Sequence, residues 1–134
     1  MKNEIKEHDQ QLSVDTEMFN AILCDPQIII IKRLESWLKN GGDINSVNDY
    51  NEQLFDPEIT IIRRIKRCLI DGANINAHNK NYNGNTMIHI AAEKCYYKIV
   101  KFLLENKANQ DIVNDDNETA KDIAVRCINA ANQQ

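Results

Sequence analysis

Few residues in this chain of 134 could do chemistry. Cys95 and His89 stand six positions apart, a spacing at which an imidazole could draw the proton from a thiol and leave a nucleophile. Asp115, Asp116 and Glu118 together offer oxygen ligands for a divalent cation. Cys24, Cys68, Cys95 and Cys127, with three histidines, could supply zinc ligands, but they are spread evenly and contain no CxxC pair. No phosphate-binding glycine loop, HExxH or Gly-x-Ser-x-Gly is present, and two of the four glycines are needed to stop helices. Each candidate also has a structural competitor: a turn cysteine, a core histidine, a solvated acidic tip. The competitors fit better, so the expectation is a non-catalytic chain with no metal and no cofactor.

Charge narrows the partners. A net charge of -4 argues against a nucleic-acid binder, which would be basic. Lys32-Arg33 and Arg63, Arg64, Lys66 and Arg67 form a local exception, read as solvated helix faces because their spacing spreads them around a helix. The longest apolar stretch, Ile28 to Ile31, is far too short for a membrane span, and the charged first ten residues hide no signal-peptide core. Unpaired cysteines in such a chain point to a reducing compartment, the cytoplasm of its own cell or of a host reached by specialised export, with the thiols free and buried.

The elements that would hold these residues announce themselves by repetition. Asp25-Pro26-Gln27-Ile28 through Gly41-Gly42-Asp43-Ile44-Asn45 returns 31 positions later as Asp56-Pro57-Glu58-Ile59 through Gly72-Ala73-Asn74-Ile75-Asn76. Asp-Pro suits a helix start, with Asp capping free N–H groups and Pro in the first turn. Ile30, Ile31, Leu34, Trp37 and Leu38, then Ile61, Ile62, Ile65, Cys68 and Leu69, recur at helical spacing and predict one buried stripe each. Gly41 and Gly72 close these helices in the left-handed conformation, and Lys107 occupies the same place in a third unit at a cost of about 1 kcal/mol. The period excludes a bundle with one central core and predicts an all-α solenoid of stacked helix pairs.

Gly84-Asn85-Thr86-Met87-Ile88-His89-Ile90-Ala91-Ala92 resembles the Gly-x-Thr-Pro-Leu-His-x-Ala-Ala opening of an ankyrin repeat, and Thr119 follows Thr86 by 33 residues, the ankyrin period. The resemblance covers roughly residues 17 to 130. Met87 stands for the usual Pro, Cys95 for the glycine between the helices, and Tyr96 where His is common. It implies an ankyrin-repeat α-solenoid with protruding fingers: a flexible N-terminus over 1–14, then one domain over 15–134 with units near 15–46, 47–79 and 80–114 and a cap at 115–134. Thr86 would cap a short helix, with His89 bonded back to it and on to a neighbouring finger. Residues 79 to 83 should form an enlarged finger, and only Asp49 to Phe55 is left for the second unit's finger and first helix.

The same resemblance implies function by binding. Finger tips and first helices commonly carry the partner, which places contacts at Val47, Asp49, Tyr50 and Glu52 in the second unit. In the third they fall at His78, Tyr82, Asn83, Asn85, Glu93 and Lys94, and in the last at Val113, Asp115, Asp116 and Glu118. Tyr50 and Tyr82 could anchor an interface or fold back over their own fingers. The acidic tips suit a protein partner with a basic face. The expected role is a protein–protein interaction module, an intracellular adaptor or inhibitor, with a bacterial effector or effector regulator as one form it takes. The alternative is a subunit of an obligate homo- or hetero-oligomer built on the divergent N-terminal half; monomer and homodimer both stay open.

Overall fold

The computed structural model describes residues 2–42 and 56–132. Among them are six helices and no strand: α1 (Lys2–Leu23), α2 (Pro26–Lys39), α3 (Pro57–Ile70), α4 (Met87–Glu93), α5 (Tyr97–Glu105) and α6 (Ala120–Asn132). The Asp-Pro start works as its chemistry requires at α3, where the Asp56 carboxylate accepts the Glu58 N–H at 2.9 Å. The same carboxylate pairs with Lys98 at the head of α5, whose backbone N–H donates to Glu58 Oε1 at 3.1 Å. One side chain thus caps one helix and anchors the next.

Four helices end identically. After α2, α3, α4 and α5 the chain turns left-handed at Gly41 (φ 90°), Gly72 (φ 101°), Cys95 (φ 59°) and Lys107 (φ 67°). The following N–H reaches back to the third carbonyl from each end: Gly42 to Trp37 O at 3.0 Å, Ala73 to Cys68 O at 2.9 Å, Tyr96 to Ala91 O at 2.9 Å and Ala108 to Leu103 O at 2.9 Å. This is the Schellman closure, which satisfies carbonyls the helix leaves orphaned. Cys95 and Lys107 adopt it without glycine's freedom.

The core runs the length of the stack. Met18, Phe19, Ala21 and Ile22 of α1 join Ile61, Ile65 and Cys68 of α3, then Met87, Ile88, Ile90 and Ala91 of α4, Ile99, Phe102 and Leu103 of α5, and Ala120 of α6. Full burial of each large aliphatic among them contributes roughly 1.5–3 kcal/mol. On α3 Ile61, Ile65 and Cys68 of the expected stripe are buried and Ile62 and Leu69 half-buried; on α5 Ile99 and Leu103 are buried, whereas Leu104 is 42% exposed. On α2 Ile31 and Leu38 are 51% and 43% exposed and Leu34 and Trp37 half-buried, against the expectation; the Ile30 side chain lies outside those described.

The reason lies in which helices pair. α1 packs chiefly on α3 and also touches α4, while α2 touches α3. The latter half of α1 stands beside α3. Asp15 of α1 accepts the Asn74 N–H at 2.7 Å, and Gln11 donates to Gly72 O at 3.0 Å. In the next unit the equivalent of Asn74, Asn109, donates its N–H to Asn76 at 2.8 Å. α1 begins at Lys2, ahead of the expected start of structure near residue 15. The segment expected to supply the second unit's finger and first helix, Asp49 to Phe55, lies outside the described residues.

Candidate functional site

Two fingers project beside α4. In the first, Asn79 and Asn85 bridge as the closing pair of the enlarged finger, Asn79 N–H donating to Asn85 O at 2.9 Å and Gly84 N–H to Asn79 O at 2.9 Å. Asparagines build the turns from their side chains: Asn79 Oδ1 accepts from Asn81 N–H, Asn109 Oδ1 from Asp111 N–H, and Asn114 Oδ1 from both Asp116 and Glu118 N–H. This is the Asx turn, in which a short amide side chain stands in for backbone. The asparagine content thus has a physical use, which composition alone did not reveal.

The fingers are fastened to each other. Asp115 N–H donates to Asn83 O at 3.0 Å, and Asn83 Nδ2 donates to Asp116 Oδ2 at 2.7 Å. Beneath them the buried Asn114 donates to the buried Asn85 at 2.9 Å. Gly84 (φ 64°) sits so close that a Cβ there would meet Asp115 Oδ1 at 2.4 Å. His89, fully buried, ties this assembly to the core. Its Nδ1 accepts the Thr86 N–H at 3.1 Å and lies 2.8 Å from Thr86 Oγ1; its Nε2–H donates to Glu118 O of the neighbouring finger at 2.9 Å. Both ring nitrogens are engaged, so His89 has none left to take a proton from Cys95.

The four thiols are free, but only Cys68 is buried; Cys95 is exposed at its turn, against the expectation of uniform burial. No group of three His, Cys, Asp or Glu side chains among the described residues is arranged to hold a metal. No helix among them is long and apolar enough to cross a membrane.

Two depressions flank Tyr82, which is half-buried and packs on the core. One, of about 280 Å3, lies between the fingers and is walled by Asn83, Glu93, Asp116, Glu118 and Arg126 over Asn85, Asn114 and Ile123. Three carboxylates face one guanidinium, and Arg126 is already paired with Glu118 at 3.1 Å. The other, of about 460 Å3, lies between α1 and the first finger, with Leu12, Asp15, Phe19 and Leu23 facing Ala77, His78 and Lys80.

Of the expected contact residues, Tyr82, Asn83, Asn85, Glu93, Asp116 and Glu118 come together in the first depression, and His78 joins Tyr82 in the second. Asn85 is corrected: at 5% exposure, bonded to Asn114, it fastens the fingers and presents no side chain to a partner. His78 spends Nδ1–H on Gly84 O at 2.8 Å. Lys94, Val113 and Asp115 line neither depression, although Val113 and Asp115 are exposed. Val47, Asp49, Tyr50 and Glu52 lie outside the described residues. Sequence reasoning missed the α1 wall and Arg126. The signal for α1 was there, in Leu12, Phe19 and Leu23 at helical spacing.

Stacked helix pairs, left-handed closures and finger-to-finger bonding define a repeat solenoid whose fingers present a recessed surface. The description "Ankyrin repeats (3 copies)" matches residues 61–133, more than half the chain, and the protein belongs to the ankyrin-repeat family. No curated protein matches it. Ankyrin repeats make it a protein–protein interaction module, a family typically non-catalytic.

Proposed function

We propose that this chain works by occupying a partner's surface, taking a basic segment into the acidic groove between its fingers with Tyr82 as the apolar anchor. One observation carries the reading: Glu93, Asp116 and Glu118 converge on a preformed recess that holds only one compensating guanidinium, Arg126. A recess already fixed by the Asn83–Asp116 and Asn85–Asn114 bonds costs little to order when a partner arrives. Complementary charge would speed encounter more than it deepens affinity. The finer role this supports is an adaptor or inhibitor acting in the cytoplasm of its own cell or a host cell, as a bacterial effector or effector regulator would.

A pull-down from native lysate with wild-type bait and with Tyr82→Ala/Glu93→Gln/Asp116→Ala tests it. A protein enriched by the wild type and lost with a still-helical variant supports the groove. Recovery of the same partner by both baits refutes it. The oligomer alternative has its own support in α2, where Ile28 and Ile31 are each about half exposed. Light scattering that shows a concentration-independent dimer would favour it.

A further inference from the structure

We infer that a second surface, the groove between α1 and α3, docks an acidic peptide segment of a protein partner. The groove measures about 470 Å3 and opens to solvent. Arg63, Arg64 and Arg67 line one side, Glu17 and Asn20 of α1 the other, and Cys68 forms the floor. Sequence spacing suggested that the basic residues of α3 are scattered around the helix. The structure sorts them. Arg63 and Arg67, and Arg64 and Arg67, are helical neighbours and face the groove, whereas Lys66 turns away to lie 5.7 Å from the centre of the Phe102 ring.

The trio is poorly neutralised. The described ion pairs, Lys98–Asp56 and Arg126–Glu118, lie elsewhere, and the Arg64 guanidinium donates only to Cys24 Sγ, at 3.5 Å. The Arg63 and Arg67 side chains enter no hydrogen bond or ion pair among the described residues. Facing them, Glu17 is the one acidic wall residue. The floor adds no charge: burial first, then Glu17 and Asp71, hold the Cys68 thiol above its usual range.

These features select the occupant. Three guanidiniums against one carboxylate leave an excess of positive charge, and the planar fork of Arg matches a carboxylate through paired N–H donors while shedding water more easily than Lys. The volume accommodates a few side chains. A nucleic acid would track a longer basic surface, and here Glu17 on the opposite wall and a net charge of -4 oppose it. This groove shares no lining residue with the acidic one between the fingers.

The test titrates a fluorescein-labelled Asp/Glu-rich peptide with one central Leu against the full chain by anisotropy, at low salt and at about 0.15 M. Binding should weaken with salt. Arg63→Gln/Arg67→Gln should weaken it about tenfold, the sum of two partly exposed charge pairs. Glu17→Gln should tighten it, and Tyr82→Ala/Asp116→Ala should leave it unchanged. Three results overturn the proposal: no binding at millimolar chain, equal affinity in an arginine variant of wild-type helicity, or oligothymidylate or phosphatidylserine vesicles binding at least as tightly with the same arginine dependence.

Discussion

His89→Ala should cost more than any other polar truncation in this chain. The imidazole is fully buried and joins Thr86 N–H, at the head of α4, to Glu118 O, in the next finger. Removing it leaves the Thr86 N–H without a partner, while Glu118 O keeps the Asn114 N–H at 2.9 Å. Each such loss costs about 1–3 kcal/mol when water cannot reach the group. Thr86 is 1% exposed and bears the upper part of that range, whereas Glu118 O, still bonded to Asn114, adds little. A vacated ring-sized space adds about 1–2 kcal/mol once the neighbours have relaxed. The sum is about 4 kcal/mol, a large share of the 5–15 kcal/mol typical of a domain. Urea unfolding followed by far-ultraviolet circular dichroism should show it as a lowered midpoint with an unchanged slope. Hydrogen exchange supplies the second signature: because the lost bond crosses between units, amides of α6 should accelerate more than those of α3. A loss below about 1 kcal/mol, the level of an ordinary surface substitution, would refute the assignment of His89 as the joint between units.

Cys95→Gly and Lys107→Gly should each stabilise. Relief of the left-handed backbone at φ 59° and φ 67° outweighs the extra freedom glycine has when unfolded, giving a net gain of about 0.5–1 kcal/mol per site in urea midpoints. No gain at either would mean those turns are not left-handed. At α6, the Asp122 carboxylate accepts the Thr119 N–H at 2.9 Å while the Asp122 N–H donates to Thr119 Oγ1 at 3.2 Å. The Thr119 backbone N–H first, and its side chain second, hold the Asp122 carboxyl below its ordinary value of 3.8. A depressed carboxyl stabilises the fold above its unfolded value, and that contribution fades as pH falls through the folded one. Asp122→Asn should therefore lower stability at neutral pH, with the two stability–pH curves converging in acid below 3.8; parallel curves across that window would sink the capping role.

Much of the fold was legible because its punctuation is local. Asp56-Pro57, Gly72, Lys107 and Thr86-x-x-His89 act through bonds spanning a few residues, so type and spacing alone identify them. The enlarged finger was legible as an excess of chain between two fixed points. The partner of α1 was not. Leu12, Phe19 and Leu23 indicate a helix with an apolar face, but no periodicity states which later helix that face meets. The site suffered likewise: Asn83 and Asp116 were placed on neighbouring tips by phase, whereas Asn85 was taken for a surface residue. Its burial depends on Asn114, 29 residues away, bonding it from the adjacent unit. The arginine trio needed Lys66 removed from it, and Phe102 of another helix does that.

The position of α1 changes how the array holds together. In a regular solenoid each unit touches only its chain neighbours, and stability is a sum of local terms. Here α1 reaches past α2 to α3 and α4, and its bonds to Gly72 and Asn74 close loops of 61 and 59 residues. The entropy of closing such loops must be met before Met18, Phe19 and Ile22 contribute their burial. From α3 to α6, by contrast, every contact lies between adjacent units and can zip up locally. Order should therefore begin in the part carrying His89 and the finger bonds, with α1 docking onto a surface already formed. Both grooves inherit that sequence of events. The recess between the fingers needs only the locally folded part, whereas the arginine groove, with Glu17 and Asn20 as its far wall, exists only once α1 is in place.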